Sequence, residues 1–385
     1  MLRLLTAGES HGPACVAIIE GMPAGVPLSA EDINRELKKR HSDFGRGGRA
    51  SIEKDEVEIL SGVRYGKTLG SPIALMVRNV DFANWQDEMR IEATSKEAAK
   101  ITRPRPGHAD LAGALKYGQE DIRNISERAS ARETVARVMA GAVVKKLLAQ
   151  FDIKLASHTV QIGSVKLPRL PKNFQEVASV LETDPDIRCI DLEASKKMKE
   201  AILDARRRGD TLGGVIEVIA TGVPVGLGSV MHYDRRLDGK IAQALMSIPS
   251  VKAVEIGDAI KIASMFGSEA QDIISYKEGR FVRETNKMGG IEGGMSNGED
   301  IVCRVYHKPI STLGSLSRTV DIKTHESVLA AAERSDVCAV PRAGVISEAM
   351  LATVLGEAMV EKFGGDHILE MKHNFDSYIK SLEER

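Results

Sequence analysis

Aromatic side chains are scarce, 4 % of 385 residues with a single tryptophan, Trp85. That leaves little stacking surface for single-stranded nucleic acid. Neither sign of charge dominates: 53 Lys and Arg face 54 Asp and Glu, for a net charge of −1. A chain so balanced is not held on nucleic acid by bulk electrostatics. Reading residues 103–137 as an RNA-binding segment fails on both counts. No apolar run approaches the roughly 20 residues of a membrane span, and the N-terminus lacks a signal-peptide pattern. The four cysteines, Cys15, Cys189, Cys303 and Cys338, show no CxxC and no zinc spacing. They read as reduced thiols of a cytoplasmic protein with no metal site.

Glycine, in contrast, is plentiful, with 35 residues, and it recurs in order. Gly8-Glu9-Ser10-His11-Gly12 resembles Gly209-Asp210-Thr211-Leu212-Gly213, and Gly21-Met22-Pro23-Ala24-Gly25 resembles Gly222-Val223-Pro224-Val225-Gly226. Both pairs lie 201 residues apart, 8 to 209 and 21 to 222. Strand-like runs separate the motifs, Cys15-Val16-Ala17-Ile18-Ile19 in one copy and Val215-Ile216-Glu217-Val218-Ile219 in the other. A weaker echo pairs Gly70-Ser71-Pro72-Ile73 with Gly298-Glu299-Asp300-Ile301. The pattern predicts two similar halves, about 1–200 and 201–385, sharing one core in a single domain. His11 is matched by Leu212, so one active site per chain is expected.

Local signals predict a mixed α+β architecture. Ser29 and Asp32 cap a helix running to about Arg40, and Ser130 with Glu133 reads as a capping box for a helix to about Leu148. Further helices are expected near 194–208, 239–246 and 348–362, with strands near 57–59, 73–77, 215–223 and 301–306. Residues 41–50 read as a flexible basic loop, and 79–110 as mostly irregular.

Five constellations could carry chemistry. The first is the Gly8 to Pro13 turn, where His11 can move a proton near neutral pH. In Arg103-Pro104-Arg105-Pro106-Gly107-His108-Ala109-Asp110, two prolines fix a loop that displays two arginines and a histidine. Arg128-Ala129-Ser130-Ala131-Arg132-Glu133 places arginines at a helix N-terminus, a ready site for an anion. Gly289-Gly290-Ile291-Glu292-Gly293-Gly294-Met295-Ser296-Asn297-Gly298 is a candidate ligand-covering loop that matches neither a P-loop nor a dinucleotide fingerprint. Lys308-Pro309-Ile310-Ser311-Thr312, followed by Arg334-Ser335-Asp336 and Arg342, offers a lysine and hydroxyls to a phosphate. Each has an ordinary reading as a solvated loop or structural ion pair. Together they suit an enzyme acting on a small, strongly anionic substrate.

These segments, in this order and along nearly the whole chain, resemble the chorismate synthase family. The resemblance implies an anti-1,4-elimination of phosphate from 5-enolpyruvylshikimate 3-phosphate, giving chorismate. It implies reduced FMN as transient electron donor, a β-α-β sandwich with internal pseudo-symmetry, and a homotetramer. By position, His11 would assist phosphate departure, His108 would protonate or orient the flavin, and Asp336 would help relay a proton. Arg128, Ala129, Ser130, Gln243, Ala244, Gly293, Lys308, Pro309, Ile310, Ser311, Thr312 and Arg334 match FMN-binding positions. Ala129 stands where many relatives have serine. Arg40 and Arg46 match positions for either NADP or substrate, and Ser10, Arg105, Arg132 and Arg342 are assigned to the substrate. Some relatives reduce their own FMN with NADPH; an external reductant is expected here. An NADPH-dependent flavin reductase is the alternative.

Overall fold

The structure, a computed structural model, describes residues 2–41, 44–45, 55–95, 98–277, 279–315, 317–330 and 336–384. The first half opens with strands β1 (Arg3–Ala7) and β2 (Ala14–Glu20), followed by helix α1 (Ala30–His41). Strands β3 (Val57–Ile59) and β4 (Ile73–Arg78) come next, then helices α2 (Asp110–Tyr117), α3 (Arg123–Ala129) and α4 (Thr134–Leu148). The second half runs through β5 (Lys154–Ile162), α5 (Leu192–Arg207), β6 (Gly214–Thr221), α6 (Leu237–Met246), β7 (Val251–Ile256) and β8 (Ile301–His307). Helices α7 (Val340–Phe363) and α8 (Ile368–Glu383) close the chain.

These strands form two antiparallel sheets in the orders β1-β2-β4-β3 and β5-β6-β8-β7, the second extended beside β5 by the short edge strand Val165–Lys166. Each sheet is assembled in the same sequence, with one helix between its second and third strands and another after its fourth. The α4 helix packs on the first sheet, α7 packs on the second, and the two helices pack on each other. This is a β-α-β sandwich of the α+β class, as expected.

Alternation explains the layers. In β4 the side chains of Ile73, Leu75 and Val77 are buried against the helices while Ala74, Met76 and Arg78 turn outward. In β8, Ile301, Cys303, Val305 and His307 face inward in the same way. The β6 strand is buried nearly throughout, because a second cluster of Ala156, Val177 and Ile219 covers its outer side. The central helices touch backbone to backbone. A methyl group at Gly141 would meet Ala349 Cβ at 2.3 Å and Cα at 2.5 Å. Gly141→Ala is therefore expected to cost about 1–3 kcal/mol through overpacking, read as a lower urea midpoint at unchanged slope.

The halves agree in detail. Thr68 Oγ1 donates to Pro23 O at 2.6 Å and accepts from Val26 N at 2.9 Å. Ser296 Oγ donates to Pro224 O at 2.6 Å and accepts from Leu227 N at 2.8 Å. The division that follows from the strands falls between α4 and β5, ahead of Lys154. A boundary near residue 200 would fall inside α5. The offset of the glycine motifs points further along the chain because a long excursion separates β5 from β6, whereas only the Gly8 to Pro13 turn separates β1 from β2.

Several local expectations need correction. Ser130 does cap, but its Oγ accepts from Arg132 N at 3.3 Å, and a short 3₁₀ turn precedes α4. The Glu133 carboxylate turns to Arg137 Nε at 2.8 Å instead of completing a capping box. The α7 helix begins at Val340, earlier than its apolar period suggested, with Pro341 in its first turn. It is long and apolar enough to cross a membrane by length and composition, yet most of it lies buried between the sheets. All four cysteines are buried and no disulfide joins them.

Candidate active site

Helices α1 and α4 are neighbours, so the C-terminal turn of α1 meets the chain entering α4. There Arg40 Nη2 donates to Ala131 O at 3.2 Å and to Thr134 Oγ1 at 3.2 Å. Asp55 is the anionic counterpart: Arg132 Nη1 lies 2.7 Å away, Arg40 Nη1 3.6 Å and His41 Nε2 2.5 Å. Burial alone would raise the Asp55 carboxyl. The His41 hydrogen bond and the Arg132 and Arg40 charges outweigh it and hold the group well below the usual carboxylate range. Two buried arginines thus share one carboxylate, leaving local positive charge beside the N-terminus of α4.

The Gly8 to Pro13 turn sits directly on this cluster. Ser130 Oγ donates to Ser10 Oγ at 3.1 Å. Asn79 Nδ2 donates to Gly12 O at 2.6 Å, while its Oδ1 accepts from Arg132 Nε at 2.9 Å. One amide therefore ties the turn to the arginine. The His11 ring stacks on Trp85, with centroids 3.9 Å apart, and its Nδ1 lies 2.7 Å from Glu127 Oε1. Arg128 is more exposed and donates to Thr6 O at 3.1 Å and Gly8 O at 3.3 Å, bracing β1.

A second cluster forms around His108. Its Nδ1 lies 2.5 Å from Asp110 Oδ1, and Arg105 reaches the same carboxylate through Nε at 2.8 Å and Nη2 at 3.1 Å. Burial would raise the Asp110 carboxyl, but the His108 and Arg105 hydrogen bonds bring it well below its ordinary range. Arg105 Nη1 also reaches Thr312 Oγ1 at 3.3 Å. Its fork is thus engaged inside the protein, a geometry that positions the loop more directly than it grips a substrate. Ser311 Oγ donates to Gly107 O at 2.9 Å and accepts from Lys308 Nζ at 2.6 Å. Burial, then the neighbouring Lys252 charge, push the Lys308 ammonium down.

The turn Gly209-Asp210-Thr211-Leu212-Gly213, counterpart of the His11 turn, supports this second cluster. Thr211 Oγ1 donates to Ile310 O at 2.8 Å, and Leu212 N donates to Val337 O at 2.9 Å. Asp336 pairs with Arg342 Nη1 at 2.8 Å in the first turn of α7. Arg188, buried and at φ +61°, joins the two sides: its guanidinium donates to Pro341 O and to Lys39 O, next to Arg342 and Arg40.

The structure therefore groups Ser10, His11, Arg40, Arg128, Ala129, Ser130 and Arg132 on one side, and Arg105, His108, Lys308, Pro309, Ile310, Ser311 and Thr312 on the other. Gly293 occupies the turn of a hairpin whose next residue, Gly294, accepts from Leu237 N at the start of α6. Gln243 and Ala244 lie further along α6, where Ser247 Oγ accepts from Arg137 Nη1 at 2.7 Å. Among the described residues, no hydrogen bond joins Gly293 to either side. Arg46 and Arg334 lie outside the described residues. Sequence reasoning missed Asp55, Asn79, Glu127 and Arg188, because each is a lone polar residue outside the motifs, and it passed over His41 as part of the basic loop.

Two helix N-termini, several arginines and three carboxylate-paired histidines define the class: an α+β enzyme for a small, multiply anionic ligand. Comparison with known proteins gives the family. The chorismate synthase family model matches residues 2–360. A chorismate synthase of Solibacter usitatus is 51 % identical over 387 residues, and one of Moorella thermoacetica 52 % over 385, each with full coverage of both chains. A crystal structure of a chorismate synthase superposes with a TM-score of 0.81 at 43 % identity, covering 100 % of this chain and 99 % of its own. The chain belongs to the chorismate synthase family, and so is a lyase of aromatic biosynthesis.

Proposed function

We propose that this protein eliminates phosphate from 5-enolpyruvylshikimate 3-phosphate in an anti-1,4 sense. The C3–O bond breaks, a C6 hydrogen is lost and chorismate forms. The observation that carries the proposal is the junction at Ser10 and Ser130, where the His11–Glu127 pair meets the Arg132–Asp55–Arg40 cluster. Fixed cations beside a proton-carrying ring suit a phosphate leaving group: the arginines hold its charge and His11 supplies a proton as general acid. The neighbouring helix N-terminus favours the same anion. Asp55 and Asn79 hold the arginine side chain in place before substrate arrives.

The residues fit FMN by the chemistry of the donor set. Lys308 donates to Ser311, Ser311 to the Gly107 carbonyl and Arg105 to Thr312, and this lysine and the two hydroxyls would hold the phosphate. Gly293, with only Val230 among the described residues near a would-be Cβ, leaves room for a ligand to approach. Reduced FMN would lend an electron to the substrate and recover it, with no net redox change. His108, fixed by Asp110, would face it, and Asp336 would serve proton relay with Arg342 as its partner. Arg40 lies inward, so its contribution to either NADP or substrate is charge rather than contact. The family resemblance extends the reading to one domain of two related halves in a cytoplasmic homotetramer.

Anaerobic assay with chemically pre-reduced FMN is the direct test. Phosphate and chorismate should appear in equal amounts; phosphate without chorismate would reject the reaction. A second arm with oxidised FMN and NADPH should show no turnover without external reductant. NADPH oxidation with no phosphate release in either arm would favour the flavin reductase alternative. Lys308→Ala is expected to weaken reduced-FMN binding by about 10–100-fold, the scale of a charged hydrogen bond, measured by anaerobic fluorescence titration.

A further inference from the structure

The reading of His11 as proton donor leaves open what decides which ring nitrogen carries the exchanged proton. Glu127, on α3, touches the turn in three places. Its backbone oxygen accepts from Ser10 N at 3.1 Å, Oε2 accepts from His11 N at 2.6 Å, and Oε1 lies 2.7 Å from His11 Nδ1. The carboxylate is therefore held by the main chain of the residue whose ring it meets, so the two cannot drift apart independently. The Glu127 side chain is 6 % exposed and that of His11 is 18 %. Trp85 closes one face of the ring, with an interplanar angle of 29°, and Trp85 Nε1 donates to Asp81 Oδ2 at 3.2 Å. Stacking fixes the plane of the ring, and the carboxylate fixes its rotation within that plane.

A carboxylate accepts and does not donate, so the nitrogen opposite it carries hydrogen in both the neutral and the charged ring. We propose that Glu127 is the positioning residue of the reaction: it keeps a proton on His11 Nδ1 and thereby assigns exchange with the substrate to Nε2. The proposal rests on the reading of His11 as the group that protonates the leaving phosphate. The same logic operates where a buried acid holds the imidazole of a hydrolase in its working tautomer. A purely structural role for Glu127 would need only its two bonds to the main chain, and the ring contact would be incidental. The mirror turn shows the difference: at Leu212 the equivalent amide is satisfied by the Val337 carbonyl, and no carboxylate is used.

The test compares the full-length protein with Glu127→Gln and His11→Asn. Glutamine keeps the size and an acceptor oxygen but can also donate, so it no longer enforces one tautomer. With ¹⁵N-labelled histidine, long-range ¹H–¹⁵N spectra distinguish protonated from bare ring nitrogens, and His11→Asn identifies the His11 signals among the nine histidines. The neutral ring of the parent protein should carry hydrogen on Nδ1 alone. Glu127→Gln should show a mixture or the reverse. Its kcat should fall about 100-fold or more, with KM and reduced-FMN affinity within about threefold. Unchanged Trp85 fluorescence would show that the stack persists. A parent ring with hydrogen on Nε2 overturns the proposal. So does undiminished turnover in Glu127→Gln alongside lost turnover in His11→Asn, an outcome that leaves the His11 reading standing. Undiminished turnover in both variants overturns the His11 reading and the proposal with it.

Discussion

His11→Ala is expected to fold and bind reduced FMN with near-parental affinity while losing about 10²–10⁴-fold in kcat, the usual contribution of a positioned general acid. The fold survives because little of it rests on the ring. The turn is held by Asn79, by Ser130 and by the two main-chain bonds to Glu127, all of which remain. The loss includes one face of the Trp85 stack and one Glu127 contact. The mirror turn, with leucine at the matching position, shows that this backbone needs no histidine. Anaerobic phosphate release with pre-reduced FMN measures the loss, and thermal unfolding checks the fold. Parental turnover would remove His11 from the chemistry.

Local rules made much of the secondary structure legible. Ser29 and Asp32 cap α1 as their spacing indicates, and the alternation in β8 places the inward residues correctly. The β5 strand escaped because Ser157, His158, Thr159 and Gln161 look too polar for a buried strand. Three of them meet distant partners: Ser157 Oγ donates to Glu348 Oε1 at 2.6 Å, Thr159 Oγ1 donates to Ile187 O at 2.5 Å and His158 Nε2 lies 2.9 Å from Glu217 Oε1. The repeat was legible because paired Gly-x-Pro-x-Gly loops make the same hydrogen bonds twice. Of the site, the histidines and arginines stood out through their unusual motifs. The carboxylates on the His11 side did not, since Glu127 lies 116 positions from His11 and nothing local marks a lone acid whose partner is supplied by the fold.

The largest expected effect on stability is at Lys145. This lysine is buried in the helical layer, with Nζ 2.5 Å from Glu36 on α1 and 2.5 Å from Glu348 on α7. Burial alone would lower its ammonium; the two carboxylates outweigh that and raise it well above the usual lysine range. Burial would likewise raise Glu36, but the Lys145 and Lys39 charges bring its carboxyl down to about 2. Its stabilising contribution is therefore complete above the ordinary glutamate value of 4.5 and is lost as pH falls toward 2. Lys145→Met leaves two buried acids without their shared cation and is expected to cost about 3–5 kcal/mol at neutral pH. The deficit should shrink as pH falls below about 4.5, because protonation relieves the stranded carboxylates while the parent protein loses the benefit it drew from them. Urea unfolding at pH 7 and pH 4 measures both, and Lys145→Met/Glu36→Gln/Glu348→Gln should recover most of the loss. A deficit that does not change with pH would instead mark a packing defect. The stake is functional as well: α1 carries Arg40 in its last turn, α4 begins just after Arg132 and α7 carries Arg342 in its first turn. The lysine that staples these three helices therefore also fixes the spacing of the cations that would receive the substrate.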